Sequence, residues 1–149
     1  MIGTHWPSRP EPDPTGRSEV AGGPRVVIVD DRAEIRRSLQ AALAMLPGLA
    51  VVAEGWDVST CGEIVREHRP DLVVLDVNIP GGGAAAARLV KSIRFSTRIV
   101  AYSGRHEPRV RASMLGAGAG EYVVKTGRIG PLLEAVSRLL AHPTAIAGP

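Results

Sequence analysis

The sequence predicts an α/β fold, a doubly wound sheet of five parallel strands with helices on both faces. Three observations predict it. Five short, largely β-branched apolar runs recur after residue 25, each followed by a segment with helical spacing. Two of the runs, Val26-Val27-Ile28-Val29 and Leu72-Val73-Val74-Leu75, are apolar at every position, as strands buried on both faces are. Regular strand–helix alternation then implies parallel pairing, because each helix serves as the crossover that returns the chain to the same edge. A buried helix can imitate one apolar run, but five in alternation leave that reading without support.

The elements follow in order. After Val26–Val29, a helix is predicted over 33–46, where Ile35, Leu39, Leu43 and Leu46 share a face. The second run, Leu49–Ala53, precedes a helix over 58–68. The third, Leu72–Leu75, precedes a helix over 84–94, entered through Gly81-Gly82-Gly83, a segment expected to be a mobile loop. The fourth, Arg98–Tyr102, precedes a helix near 106–117 that ends in the small residues Gly116–Gly120, read as helix termination and close packing. The fifth, Tyr122–Val124, precedes a helix over 131–141. Pro131 opens it, where a missing N–H costs nothing, and Leu132, Leu133, Val136, Leu139 and Leu140 give it an apolar face.

Composition bounds the rest. The chain has 149 residues, 44% hydrophobic and 22% charged, enough for one globular domain. Apolar stretches such as Ala41–Leu46 fall far short of the ~18 residues that cross a bilayer. The polar, proline-rich start, Met1–Gly16, lacks a signal-peptide core. The single cysteine, Cys61, excludes an internal disulfide and a cysteine zinc site. No membrane association and a cytoplasmic location are therefore expected. Residues 1–24 hold five of the twelve prolines and carry −1, and are expected to form a disordered arm. Residues 25–141 form the predicted domain and 142–149 a tail. The pI near 9.6 rests on 16 Arg and 2 Lys with a net charge of only +3, and aromatic content is 3%, so a stacking platform for single-stranded nucleic acid is not indicated. Arg94, Arg98, Arg105, Arg109 and Arg111, opposed only by Glu107, read first as solvated charge and second as a docking surface for an acidic partner or a second copy of the chain. His5, His68, His106 and His142 read as surface residues, and Trp56 as local packing.

In a sheet of this kind ligands bind beyond the carboxyl ends of the strands. The first strand ends in Asp30 and Asp31, the third in Asp76, the fourth in Ser103-Gly104 and the fifth in Lys125. Singly, each has an ordinary explanation: Asp31 as a helix N-cap, Asp76 as a turn residue, Ser103 as a cap, Lys125 as a solvated lysine. Together they place three carboxylates, a hydroxyl and an ammonium at one edge. Two carboxylates about 4 Å apart repel by ~4 kcal/mol at an effective dielectric of 20, so three in a pocket call for a cation. An all-oxygen set suits Mg²⁺. An aspartate can itself attack a phosphoryl group, and the resulting aspartyl phosphate needs partners for its oxygens: Mg²⁺, the Lys125 ammonium and the Ser103 hydroxyl supply them.

The segments Val29-Asp30-Asp31, Asp71-Leu72-Val73-Val74-Leu75-Asp76-Val77-Asn78-Ile79-Pro80-Gly81, Tyr102-Ser103-Gly104 and Tyr122-Val123-Val124-Lys125 resemble the receiver domain of two-component response regulators over residues 25–141. The resemblance implies a flavodoxin-like (βα)5 fold with strand order 2-1-3-4-5. It implies Asp76 as phosphoacceptor, and a Mg²⁺ site made by Asp30, Asp31, Asp76 and the backbone carbonyl of Asn78. Ser103 would be the switch hydroxyl, Lys125 the phosphoryl-binding residue and Tyr122 the switch aromatic. Two positions depart from the family pattern: Thr126 stands where a proline in a cis peptide is usual, and Gly104 where alanine is frequent.

The function expected is that of a single-domain response regulator, a signalling phosphoacceptor rather than an enzyme. It would take a phosphoryl group from a histidine kinase or phosphotransfer protein and signal by contact with a downstream protein. The face made by the fourth helix, fifth strand and fifth helix would be a candidate homodimer surface. Only His142–Pro149 follow the last helix, so direct DNA binding is not expected. The second-strand region, Pro47–Glu54, resembles receivers that precede a DNA-binding domain, which keeps a truncated transcriptional regulator as the alternative. A phosphatase or phosphotransferase using an aspartyl phosphate ranks lower, since no long insertion supplies a substrate cap, and a phosphorylation-independent interaction module lower again.

Overall fold

The structure, a computed structural model, describes residues 22–141. Five strands and five helices alternate along it: β1 (Arg25–Val29), α1 (Ala33–Leu43), β2 (Ala50–Gly55), α2 (Val58–His68), β3 (Leu72–Leu75), α3 (Gly83–Ile93), β4 (Arg98–Ser103), α4 (Pro108–Gly116), β5 (Glu121–Val124) and α5 (Gly130–Ala141). All strand pairs are parallel, and the sheet order is β2-β1-β3-β4-β5. The doubly wound sheet and its strand order agree with the sequence expectation. The expected arm over 1–24 lies outside the described residues as far as residue 21, and the tail over 142–149 lies outside them entirely. Pro24 is buried, and its carbonyl accepts a hydrogen bond from the Ala50 amide.

Strand alternation divides the core in two. Val26, Ile28, Leu72, Val74, Val100 and Tyr102 face one layer with Leu39 and Leu43 of α1 and Leu132 and Val136 of α5. Val27, Val29, Val73, Leu75, Ile99 and Ala101 face the other, with Cys61 and Val65 of α2, Val90 of α3 and Met114 of α4. Each fully buried aliphatic side chain stabilises by about 1.5–3 kcal/mol relative to exposure. The central strands β1 and β3 need such residues at every position, which is why their runs were unbroken.

Local chemistry sets the ends. α1 stops at Leu43, three residues short of the expected end; Leu46 is still buried, carried back by a tight turn before Pro47-Gly48. α2 opens with a capping box between Asp57 and Thr60. α4 begins at Pro108 rather than near 106, with proline in its first turn. The glycine run expected as a mobile loop is a hydrogen-bonded turn: Gly81 and Gly82 have φ of +93° and +96°, and the Gly83 amide donates to the Val77 carbonyl. A Cβ on Gly83 would stand 2.6 Å from Val77 Cα, so only glycine fits there.

Candidate functional site

The carboxyl ends of β1, β3, β4 and β5 meet at one edge. Asp30 and Asp76 are buried and Asp31 is exposed, and one carboxylate oxygen from each of the three lies within 4.8 Å of the others. The Lys125 ammonium reaches in from the end of β5, 3.2 Å from Asp30 Oδ2 and 3.6 Å from Asp76 Oδ1. Its side chain is 17% exposed.

Alternation explains the convergence. Asp30 continues the Val26–Ile28 register of β1, Asp76 the Leu72–Val74 register of β3, and Lys125 follows Val123 by two. The apolar residues that anchor one core layer therefore also aim these three charged ends at a common place. Asp30 is fixed further by its own loop, its Oδ1 accepting from the Arg32 amide at 3.0 Å. The helix N-cap is Arg32, not Asp31, so the capping explanation for Asp31 falls away.

Burial raises the Asp76 carboxyl above its ordinary value; Lys125 opposes this, and the neighbouring Asp30 charge adds to it. The Asn78 amide donates to the Asp76 carboxylate. Three carboxylates against one ammonium leave two negative charges in a partly buried pocket. A hard divalent cation with oxygen ligands matches both the charge and the donor set, and Mg²⁺ fits on those grounds.

The remaining sequence candidates occupy the flank. Ser103 is fully buried, and its Oγ accepts from the Arg105 amide at 3.0 Å. The Tyr122 hydroxyl donates to the Arg105 carbonyl at 2.8 Å, so both peptide groups of Arg105 are held. Tyr122 is buried, with the Arg111 guanidinium 5.8 Å from its ring centroid. The peptide bond before Thr126 is trans, and Lys125 still reaches the pocket. Asn78 is exposed in the turn after β3.

Two contributors escaped sequence reading. Arg36 of α1 donates to the Asp30 carbonyl and to Glu54 Oε1, both at 2.8 Å, and its guanidinium lies 5.7 Å from the half-exposed Trp56 ring. The Tyr102 ring lies 5.4 Å from Lys125 Nζ. Arg36 lies in no motif, and Tyr102 stands in the quoted Tyr102-Ser103-Gly104 segment without a role of its own; its signal was a strand position that pairs with Val123, two residues before Lys125. The arginine run does not form one surface. Arg98 opens β4 and Arg105 follows its end, about 20 Å along an extended six-residue strand.

Comparison with known proteins places the chain in a family. The family model described as "Response regulator receiver domain" matches residues 26–137. The probable transcriptional regulatory protein NarL of Mycobacterium tuberculosis is 30% identical over 130 residues, covering 83% of this chain and 60% of its own length. The chemotaxis protein CheY of Bacillus subtilis is 32% identical over 117 residues, covering 78% of this chain and 97% of its own. Among solved structures, a LuxR-family two-component response regulator from Aurantimonas superposes with a TM-score of 0.76 at 32% identity, covering 79% of this chain and 85% of that one. The chain belongs to the response regulator receiver domain family of two-component signalling systems. It spans about 60% of the length of the NarL relatives it matches.

Proposed function

We propose that this chain is a signalling phosphoacceptor: Asp76 takes a phosphoryl group from a histidine kinase or phosphotransfer protein, in the presence of Mg²⁺. The observation that carries the reading is the pocket itself, in which Asp30, Asp31 and Asp76 approach within 4.8 Å while Lys125 contacts two of them. Asp30, Asp31, Asp76 and the Asn78 carbonyl would hold the metal. When bound, the ion supplies positive charge that offsets the carboxylates and the incoming phosphoryl oxygens. The chain's own residues do the remainder. An Asp76 carboxylate oxygen attacks phosphorus, the P–O or P–N bond to the donor breaks, and the donor leaves with that bond's electron pair. Lys125 then binds one phosphoryl oxygen and Ser103 another. Tyr122, tied through Arg105 to Ser103, is placed to respond to a change at that hydroxyl.

Output would pass by contact with another protein, and the location would be cytoplasmic. Our first reading is a stand-alone receiver, the kind of protein for which the CheY relative, matched over 97% of its length, is the model. The second reading is the receiver portion of a transcriptional regulator, as the name of the NarL relative suggests.

The test is intact mass after incubation with a small phosphodonor and Mg²⁺. Wild type is expected to gain one phosphate and Asp76→Asn none. Equal gain by both, or no gain by wild type, defeats the assignment.

A further inference from the structure

Lys125 is the cation that the acidic pocket already owns, and the carboxylates are not its only neighbours. The chain leaving it is unconstrained by any proline ring: Thr126 and then Gly127, at φ +87°, follow. Its backbone is tied through the amide, which donates to the Ser103 carbonyl at 2.7 Å. Its ammonium has two carboxylate partners, Asp30 and Asp76. Both are also in the cluster that suits a divalent cation. A cation there draws on the same oxygens and repels the ammonium, which weakens the carboxylates' hold on it.

The third contact is different in kind. The Tyr102 ring centroid lies 5.4 Å from Lys125 Nζ, within the range in which an aromatic face attracts a cation. Tyr102 is 8% exposed and packed in the layer with Val100, Val123 and Leu132, so its ring is fixed by the core. Register accounts for the contact: Tyr102 pairs with Val123, and Lys125 follows Val123 on the same strand face. A ring face does not ligate Mg²⁺ and is not consumed by phosphorylation, so this contact does not compete with either for the carboxylate oxygens.

We propose that Tyr102 is a positioning residue for Lys125, its ring holding the ammonium at the mouth of the pocket where an incoming phosphoryl oxygen needs it. The inference rests on the phosphoacceptor reading above and adds a residue that the reading does not use.

The experiment separates the two. Full-length wild type, Tyr102→Phe and Tyr102→Leu are titrated with Mg²⁺ alone, and then with beryllofluoride, a tetrahedral stand-in for a phosphoryl group, at saturating Mg²⁺. Binding is followed by calorimetry and by fluorine NMR. Tyr102→Leu is expected to weaken beryllofluoride binding about tenfold while Mg²⁺ affinity changes less than about twofold, and Tyr102→Phe to stay within about twofold of wild type in both. Should Tyr102→Leu fail to fold, Tyr102→Met, whose flexible side chain fills irregular space, carries the same expectation. Wild-type affinity in the ring-less variant overturns the proposal, as does an equal loss in Tyr102→Phe. A parallel loss of Mg²⁺ and beryllofluoride affinity also overturns it, because that marks a general structural role. If wild type itself binds no beryllofluoride with Mg²⁺, the phosphoacceptor reading fails, and the role of Tyr102 fails with it.

Discussion

The two edges of the sheet treat their polar groups in opposite ways. At the amino edge the polar groups are tied to backbone and side-chain partners. The Arg25 amide donates to Asp71 Oδ2 at 2.8 Å and its guanidinium to the His68 carbonyl at 3.0 Å. Thr97, fully buried, donates to the Pro70 carbonyl at 2.7 Å, which Arg94 also reaches. Lys91 caps the carbonyls of Phe95 and Thr97. At the carboxyl edge three carboxylates share one ammonium, and Asp76 is held above its ordinary pKa by burial. One edge closes the fold; the other stores repulsion that a cation can relieve. Buried polar groups are affordable when paired, and an unbalanced set at a ligand-binding edge marks function.

That contrast can be broken at either edge. The largest effect is expected from Asp31→Asn on metal binding: the side chain is exposed, so the fold should persist while Mg²⁺ affinity falls about tenfold or more, read by calorimetry. Mg²⁺ at about 100 times its dissociation constant should stabilise wild type by about 2.7 kcal/mol in denaturant titrations, and the gain should shrink in that variant at the same concentration. At the amino edge, Thr97→Val should cost about 1–3 kcal/mol by chemical denaturation and leave Mg²⁺ affinity unchanged.

The smallest effect separates two carboxylates, Asp76 and Glu54, by sign. Because the folded-state pKa of Asp76 is raised, its contribution to stability is full at low pH and is lost as pH rises through the folded value. Without metal, Asp76→Asn should therefore be more stable than wild type at neutral pH, read by chemical denaturation. The difference should vanish below the ordinary aspartate range, where both side chains are neutral. Glu54 behaves oppositely. Burial raises its pKa, but hydrogen bonds from Gln40 and Arg36 outweigh this and lower it, so its contribution is present above the ordinary glutamate range and lost as pH falls through the lowered value.

Much of this was readable beforehand. β1 and β3 show as unbroken apolar runs because both faces are covered, and Asp30, Asp76 and Lys125 stand out because each follows a strand directly. Tyr102 and Arg36 did not show. The ring's role depends on the β4–β5 register, which no single strand reveals, and Arg36 is one of several arginines on or before α1, distinguished from Arg32 and Arg37 only by what it meets in space. The start of α4 was misjudged by two residues although Pro108 marks it, and the glycine turn was read as loose because the Val77 backbone that presses on Gly83 is a packing fact rather than a pattern.

The central claim is that Asp76 is the atom-level acceptor, and locating the phosphate tests it most directly. The chain is treated with a small phosphodonor and Mg²⁺, the acyl phosphate is reduced with borohydride, and the peptides are sequenced by mass spectrometry. The account predicts that position 76 alone is converted from aspartate to homoserine, with no conversion when Mg²⁺ is chelated. Conversion at Asp30 or Asp31, or none at all in a folded chain with Mg²⁺, would contradict it.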